Sequence, residues 1–523
     1  MEATDVRDAP VDRVPDAAVA GPQAPWAAPV AATVALASSL VGLTTRPIWT
    51  DEAISIAATH QLGPTLRGTG GTMGAYYVLL DGWTAVWGTS AAAIRTPSAL
   101  LAAAVVLVAG PTIRRSQPRL TALVALGLLA VLPGLARAGQ EARSYALAMV
   151  LAAAAWGVAS RLVTAPADGR TEQNRRAVAL AALCTLGVLA HGMFALQVLA
   201  LAASVAVLPD RRRLLPLVAP AVALSAGTAG GLMAVGAGGV ADWIEPLRLD
   251  QLAEIGSVLL SPVRAGAVLL ALIAVVGGLT VATGHTGPAE TSAARWHRLL
   301  PLWWGAAPAV ALVALSVVRP YFVGRYLLPS LPGLAMLIAA GAVALARAAA
   351  TRGGDDAARR RITAVAAVAL AAVLGAALVT GRAALDDVDV EPWPAVAAAV
   401  ADRAVEGDAI VFTASSGAIA FSTRTPFDVA WAGLDDPAAG PRPVDDVEPL
   451  GDVARLYEER DAAEAERRLA DSDRIWVVHK TRRDSGDEPY HEVLARPGIA
   501  GRFEVVDQWG FDGPIWVVLL ART

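Results

Sequence analysis

The stretch AVALAALCTLGVLAHGMFALQVLALAASVAVLP, Ala177–Pro209, runs for 33 residues without an Asp, Glu, Lys or Arg. As one helix it would be about 50 Å long at 1.5 Å per residue, against a bilayer hydrocarbon core of roughly 30 Å. Both flanks are basic, with Arg175 and Arg176 before it and Arg211, Arg212 and Arg213 after it. Basic loops face the cytoplasm, so a single crossing would put one flank on the wrong side. Two short spans, 177–191 and 193–208, bring the chain back to the side it left, with His191-Gly192 at the outer tip.

The same reading extends in both directions. Apolar stretches at 26–43, 92–112, 120–136, 144–162, 214–236, 264–283, 299–318, 326–346 and 362–380 bring the candidate spans to eleven. Loops rich in arginine (Arg114, Arg115 and Arg119; Arg161 to Arg176; Arg211 to Arg213; Arg295 and Arg298; Arg347 to Arg361) alternate with arginine-poor loops. All five fall on one side. The predicted fold class is an α-helical polytopic membrane protein, N-terminus cytoplasmic, with an extracytoplasmic C-terminal α/β domain.

Composition supports this reading: 55% of residues are hydrophobic and 17% charged, with a mean hydropathy of +0.50, where soluble domains carry about 25% charge. A soluble enzyme, a disordered chain and a coiled coil are excluded, and the single Cys184 excludes a disulfide framework. The net charge of −4 averages two regions: residues 381–523 carry −13 and the remainder +9. The predicted domains are a disordered cytoplasmic tail at 1–25, a transmembrane domain at 26–380 and the outer α/β domain at 381–523. In the last, a helix at 394–405, strands at 409–413, 475–478, 503–506 and 515–520, and a charged helix at 453–470 are expected.

Candidate chemistry collects in the outer loops. Asp51 and Glu52 follow the first span beside Trp49, where a carboxylate can take a proton from an acceptor hydroxyl. Within the same 44–91 loop, Tyr76, Leu79, Leu80, Trp83 and Trp87 form a helical stripe suited to the membrane surface. Gln140, Glu141, Arg143 and Tyr145 lie at the outer junction of the third and fourth spans, and Arg319, Arg325 and Tyr326 reach the same surface. Outer arginines run against the positive-inside bias, and a bound phosphate is a natural reason for them. His191 joins them at the hairpin tip. Asp51, Glu52 and His60 leave room for a divalent cation, although hard cations usually take more oxygen ligands.

The succession Trp49-Thr50-Asp51-Glu52-Ala53, Tyr76-Tyr77-Val78-Leu79-Leu80 with Arg95-Thr96-Pro97-Ser98-Ala99-Leu100, Gln140-Glu141-Ala142-Arg143-Ser144-Tyr145-Ala146-Leu147 and Arg325-Tyr326-Leu327-Leu328-Pro329 resembles the GT-C membrane glycosyltransferases over about residues 30–345. These are relatives of protein O-mannosyltransferases and of the lipid A aminoarabinose transferase. Trp393-Pro394 leading into Gly407-Asp408-Ala409-Ile410-Val411 also looks like the C-terminal domain of bacterial members. One departure is Thr72-Met73-Gly74-Ala75-Tyr76-Tyr77, where relatives often have Pro-Pro-Leu-Tyr-Tyr.

The resemblance implies a bacterial plasma-membrane enzyme that moves sugar from a polyprenyl-phosphate donor to a protein, lipid or glycan acceptor, with inversion and with no nucleic-acid partner. It implies Asp51 as base, Glu52 assisting in acceptor or sugar contact, and Arg143 near the donor phosphate with Arg325 as a second candidate. Mannose is the leading sugar, because an Ala- and Arg-rich chain suggests a high-GC actinobacterium, and an arabinose-type donor is the alternative. A transporter or flippase of lipid-linked glycan, and an assembly or sensor protein acting through its outer domain, are the competing classes. Transporters place ionisable residues at mid-membrane, and here only His191 approaches that position.

Overall fold

Long uncharged runs become helices because a backbone in lipid has to satisfy its own N–H and C=O groups. The computed structural model describes residues 24–351, apart from 61, 69–70, 165–168, 236–243, 245 and 285–289; positions 357, 361 and 365; and 391–414, 421–432, 434, 442–443, 469–480, 494–495, 499–511 and 515–523. Helices α1 (Ala27–Leu40), α2 (Thr50–His60), α3 (Leu62–Gly68), α4 (Gly74–Trp87), α5 (Ala91–Ser116), α6 (Arg119–Val131), α7 (Pro133–Gln140) and α8 (Tyr145–Thr164) come first. After them come α9 (Arg170–Ala190), α10 (Ala195–Ala206), α11 (Arg211–Ala234), α12 (Leu252–Leu259), α13 (Arg264–Thr283), α14 (Ser292–Pro301), α15 (Ala307–Val318) and α16 (Leu331–Ala350).

Among the described residues six segments are long and apolar enough to cross a membrane: α5, α8, α11, α13, Ser292–Val318 and Gly324–Ala350. The pair α6 and α7, bent by 43°, makes a seventh when taken as one span. Pro133 sets that bend, since proline forces the preceding residue out of the α region, and Leu132 is extended at φ −62°, ψ 129°. Eleven spans were expected, and length accounts for part of the difference. Helix α1 has 14 residues, about 21 Å, and α9 spends its first turns on Glu172, Arg175 and Arg176. The expected span at 362–380, residues 1–23 of the expected tail and nearly all of the charged helix at 453–470 lie outside the described residues. The chain does break at His191, which is extended at φ −159°, ψ 117°.

Small residues let the helices approach closely, as is common between helices in lipid. A Cβ at Gly277 of α13 would fall on the Leu337 carbonyl, and one at Gly341 of α16 on the Ile273 carbonyl. Gly305, in a π turn at Leu302–Ala306 between α14 and α15, meets Gly333 of α16 in the same way. In the bundle core Trp156 stacks on Trp304 with centroids 5.8 Å apart. Its Nε1 donates to Gln197 Oε1 at 3.0 Å, and Gln197 Nε2 donates to Ser330 Oγ at 2.8 Å.

The C-terminal part carries a mixed sheet of β1 (Ala409–Ala414), β2 (Arg442–Pro443), β3 (Arg474–Lys480), β4 (Phe503–Gly510) and β5 (Ile515–Arg522), in the order β2-β1-β3-β5-β4. Strand β1 runs parallel to β2 and β3, while β5 is antiparallel to β3 and β4. Trp476 and Val478 face a core with the helix Trp393–Ala401, and Ile475 and Val477 face a second core with Leu469 and Ile499. Burial on both faces explains why β3 reads as an apolar run rather than an alternation. The edge strand β4 carries a bulge between Val505 and Asp507, a usual way to blunt an edge.

Candidate active site

The site begins in the first turn of α2, where unpaired backbone N–H groups favour an acidic side chain. Neighbouring residues on a helix point about 100° apart, so Asp51 and Glu52 face different surroundings. Glu52 is fully buried and paired with Arg95 of α5, Oε2 to a terminal nitrogen at 2.5 Å and Oε1 to Nε at 2.8 Å. Its Oε1 also accepts from Ala142 N at 2.9 Å. Arg95 donates in addition to the carbonyls of Leu43, Arg46 and Pro47. Glu52 thereby ties the loop after α1, the start of α5 and the turn after α7 into one unit, with neither carboxylate oxygen left for a ligand.

Breaking a buried ion pair from one side is strongly destabilising, whereas replacing both members with apolar side chains costs much less. Glu52→Gln should therefore lower stability by about 3–5 kcal/mol, read as a drop in melting temperature in detergent. The double variant Glu52→Met with Arg95→Met should melt closer to the parent than either single methionine variant does.

With Glu52 turned inward, Asp51 is left facing two arginines. Its Oδ2 lies 3.4 Å from Arg143 and 3.6 Å from Arg325, in ion-pair range of both. That oxygen is buried and has no hydrogen-bond partner among the described residues, and the same holds for Arg143 Nε. Arg143 also donates to the Asp51 carbonyl at 3.3 Å. Burial pushes the Asp51 carboxyl up, but the charges of Arg143, Arg325 and Lys480 outweigh it and hold the group below the ordinary carboxylate range.

Arg325 comes from the 3-10 segment Gly324–Ser330 ahead of α16. Three contacts fix that segment: Gly324 N on Glu254 Oε1 at 3.2 Å, Trp304 Nε1 on the Pro329 carbonyl at 2.9 Å, and Gln197 on Ser330. The Arg325 guanidinium sits over the Trp49 ring, 5.7 Å from its centroid, a cation–π contact that gives the tryptophan before Asp51 a task. Tyr145, His191 and Tyr326 form an aromatic row, with centroids 5.3 Å and 5.0 Å apart.

The structure thus gathers Asp51, Arg143, Tyr145, His191, Arg325 and Tyr326 at one end of the bundle. Gln140 and Glu141 frame that end: Gln140 donates to the Val41 carbonyl at 2.8 Å and Glu141 pairs with Arg137 at 2.8 Å. Arg319 lies apart, exposed, with its guanidinium over Tyr321. His60 is exposed at the far end of α2, about 13 Å along the helix from Asp51, so Asp51, Glu52 and His60 do not converge. Among the described residues no group of three or more His, Cys, Asp and Glu gathers as a metal site.

Sequence reasoning passed over Trp49, Arg95, Thr50, Glu391 and Lys480. The first three stood in the quoted motifs without a role. The signal for Lys480 was its rarity, since it is the one lysine among 43 basic residues.

No family model and no curated protein matches this chain. Solved structures do. ArnT from Cupriavidus metallidurans in the apo state superimposes with a TM-score of 0.57 at 13% identity, covering 94% of this chain and 97% of that one. The same ArnT bound to undecaprenyl phosphate gives 0.55 at 14% identity over the same shares. The archaeal oligosaccharyltransferase AglB from Archaeoglobus fulgidus, in complex with an inhibitory peptide and a dolichol-phosphate, gives 0.53 at 12% identity, covering 87% of this chain and 69% of that one. This chain has the GT-C fold. It includes the C-terminal sheet region, because the ArnT match extends over nearly the whole length of both chains. Within that fold α2 carries Asp51, and the turn between α7 and α8 brings Arg143 to it.

Proposed function

We propose that this protein is a membrane glycosyltransferase that moves a sugar from a polyprenyl-phosphate donor to an acceptor hydroxyl at the outer face of a bacterial plasma membrane. The observation that carries this reading is the Asp51 carboxylate held in ion-pair range of both Arg143 and Arg325, 3.4 Å and 3.6 Å from its Oδ2. Two guanidiniums at one point suit a phosphate better than a single carboxylate. The arginine-rich helix ends, at Arg114 and Arg115 of α5 and Arg170 to Arg176 of α9, lie at the opposite end from this site. Positive ends face the cytoplasm, which supports a site on the outer face. The phosphate-linked lipids held by ArnT and AglB support the same class of donor.

In the proposed reaction Asp51 takes the proton of the acceptor hydroxyl as its oxygen attacks the anomeric carbon in line. The bond from that carbon to the phosphate oxygen breaks, and the polyprenyl phosphate leaves as an anion that Arg143 and Arg325 stabilise. Displacement from the face opposite the phosphate inverts the centre, so a β-phosphate donor yields an α-glycoside. Mannose is the sugar we favour, with an arabinose-type sugar as the alternative.

The test uses purified protein in detergent with a panel of polyprenyl-phosphate sugars and peptide, lipid and glycan acceptors. Turnover of one donor is the expected result, with the product's anomeric configuration read by NMR. Movement of a lipid-linked sugar across proteoliposomes with no bond cleavage would overturn it in favour of a flippase.

A further inference from the structure

Lys480 ends β3 of the outer sheet, 430 residues from the loop that carries Asp51, yet the two parts meet. Its Nζ donates to Glu391 Oε1 at 2.6 Å and to Thr50 Oγ1 at 3.0 Å. The other Glu391 oxygen accepts from Thr50 N at 2.8 Å, from Thr50 Oγ1 at 2.5 Å and from Trp393 Nε1 at 2.7 Å. Thr50 and Glu391 are both buried. Thr50 immediately precedes Asp51, and its N–H is one of the first-turn donors that the helix itself leaves unpaired. A side chain from the start of the outer domain therefore caps the helix on which the base stands. The lysine ammonium neutralises that cap and also reaches the Thr50 hydroxyl.

A plain docking contact is a weaker account of this network. The outer domain already has an apolar hold on this region, where Val429 of the helix Phe421–Ala432 packs against the cluster of Ile56, Tyr76 and Tyr77. A chain that uses arginine in place of lysine everywhere else has a lysine here, where a compact point charge fits between a carboxylate and a hydroxyl.

Building on the function proposed above, we infer that Lys480 and Glu391 are positioning residues: they clamp Thr50 and so fix Asp51 for the proton transfer, which makes the outer domain a part of the reaction site. Lys480 touches no reacting atom in this scheme. The donor phosphate is left to Arg143 and Arg325, so the clamp acts on turnover rather than on donor affinity.

The experiment compares parent, Lys480→Met, Lys480→Arg, Thr50→Val and the Thr50→Val/Lys480→Met pair in full-length protein, with steady-state sugar transfer, undecaprenyl phosphate binding and thermal melting measured on each. The expected result for Lys480→Met is a kcat lower by about 10- to 100-fold, the loss typical of a small misplacement, with donor KM and undecaprenyl phosphate binding within about twofold. Lys480→Arg, which keeps the charge but not the compact ammonium, should recover part of that kcat, and the pair should be no slower than Lys480→Met alone. A second readout uses the lone lysine: acylation of Lys480 by an amine reagent, followed by mass spectrometry, should be faster in Thr50→Val than in the parent. Parental kcat in Lys480→Met would overturn the inference, as would a fall in kcat that comes with an equal loss of phosphate binding and no rescue by arginine. A parent that transfers no sugar from any donor would instead remove the proposed function, and this inference with it.

Discussion

Asp51→Asn should lower sugar transfer by about two to four orders of magnitude, the range a general base supplies, while donor binding holds or tightens. The amide keeps the size and shape of the carboxylate but cannot take the acceptor's proton. It also removes the negative charge that lies 3.4 Å and 3.6 Å from the two guanidiniums, and so removes the phosphate's competitor for them. Parental turnover in Asp51→Asn would sink its assignment as base.

The pH dependence follows from the same contacts. In the free enzyme burial works to raise the Asp51 pKa, but Arg143, Arg325 and Lys480 together leave it lowered. A lowered carboxyl stays ionised down past the usual value of about 3.9. Since kcat/KM reports the free enzyme, its acid limb should lie below that value, and the profile should be level through the neutral range. In Arg143→Ala, which loses the leading attractive charge, the acid limb should move to higher pH.

Arg143→Ala has the second large effect, and it falls on the donor. Hydrogen bonds to charged groups contribute about 1.5–3 kcal/mol each, so the apparent donor affinity should weaken by roughly ten- to a hundredfold, measured as donor KM and as direct undecaprenyl phosphate binding. Normal donor affinity in this variant would move the phosphate to Arg325, which keeps its seat over Trp49 when Arg143 is gone. Arg325→Ala, measured alongside, separates the two cases.

The sequence made much of this molecule legible, and the exceptions have physical causes. The 33 uncharged residues with basic flanks led to the break at His191, because the bilayer and the positive-inside rule act on local composition. Strands β1, β3, β4 and β5 were legible for the same reason, as short apolar runs. The helix Phe421–Ala432 was not, since Pro426 inside it argues against helix.

At the site, local sequence showed that Asp51 and Glu52 were charged neighbours but not which of them faces Arg143 and Arg325. That choice is made by Arg95, 43 residues further on, which holds Glu52 inside. The outer arginines divide in the same way. Arg325 is turned onto Trp49 by a segment fixed through Glu254, Trp304 and Gln197, whereas Arg319 sits before that segment begins. Lys480 depends on a docking between two parts of the chain that no local pattern encodes.

The glycine crossing of α13 and α16 restricts where the lipid of the proposed donor can lie. Where the backbones leave no room for a methyl group at Gly277 or Gly341, an isoprenoid chain cannot lie between them. These two helices form a closed seam at that crossing. The lipid tail of the proposed donor would therefore lie along another pair of helices.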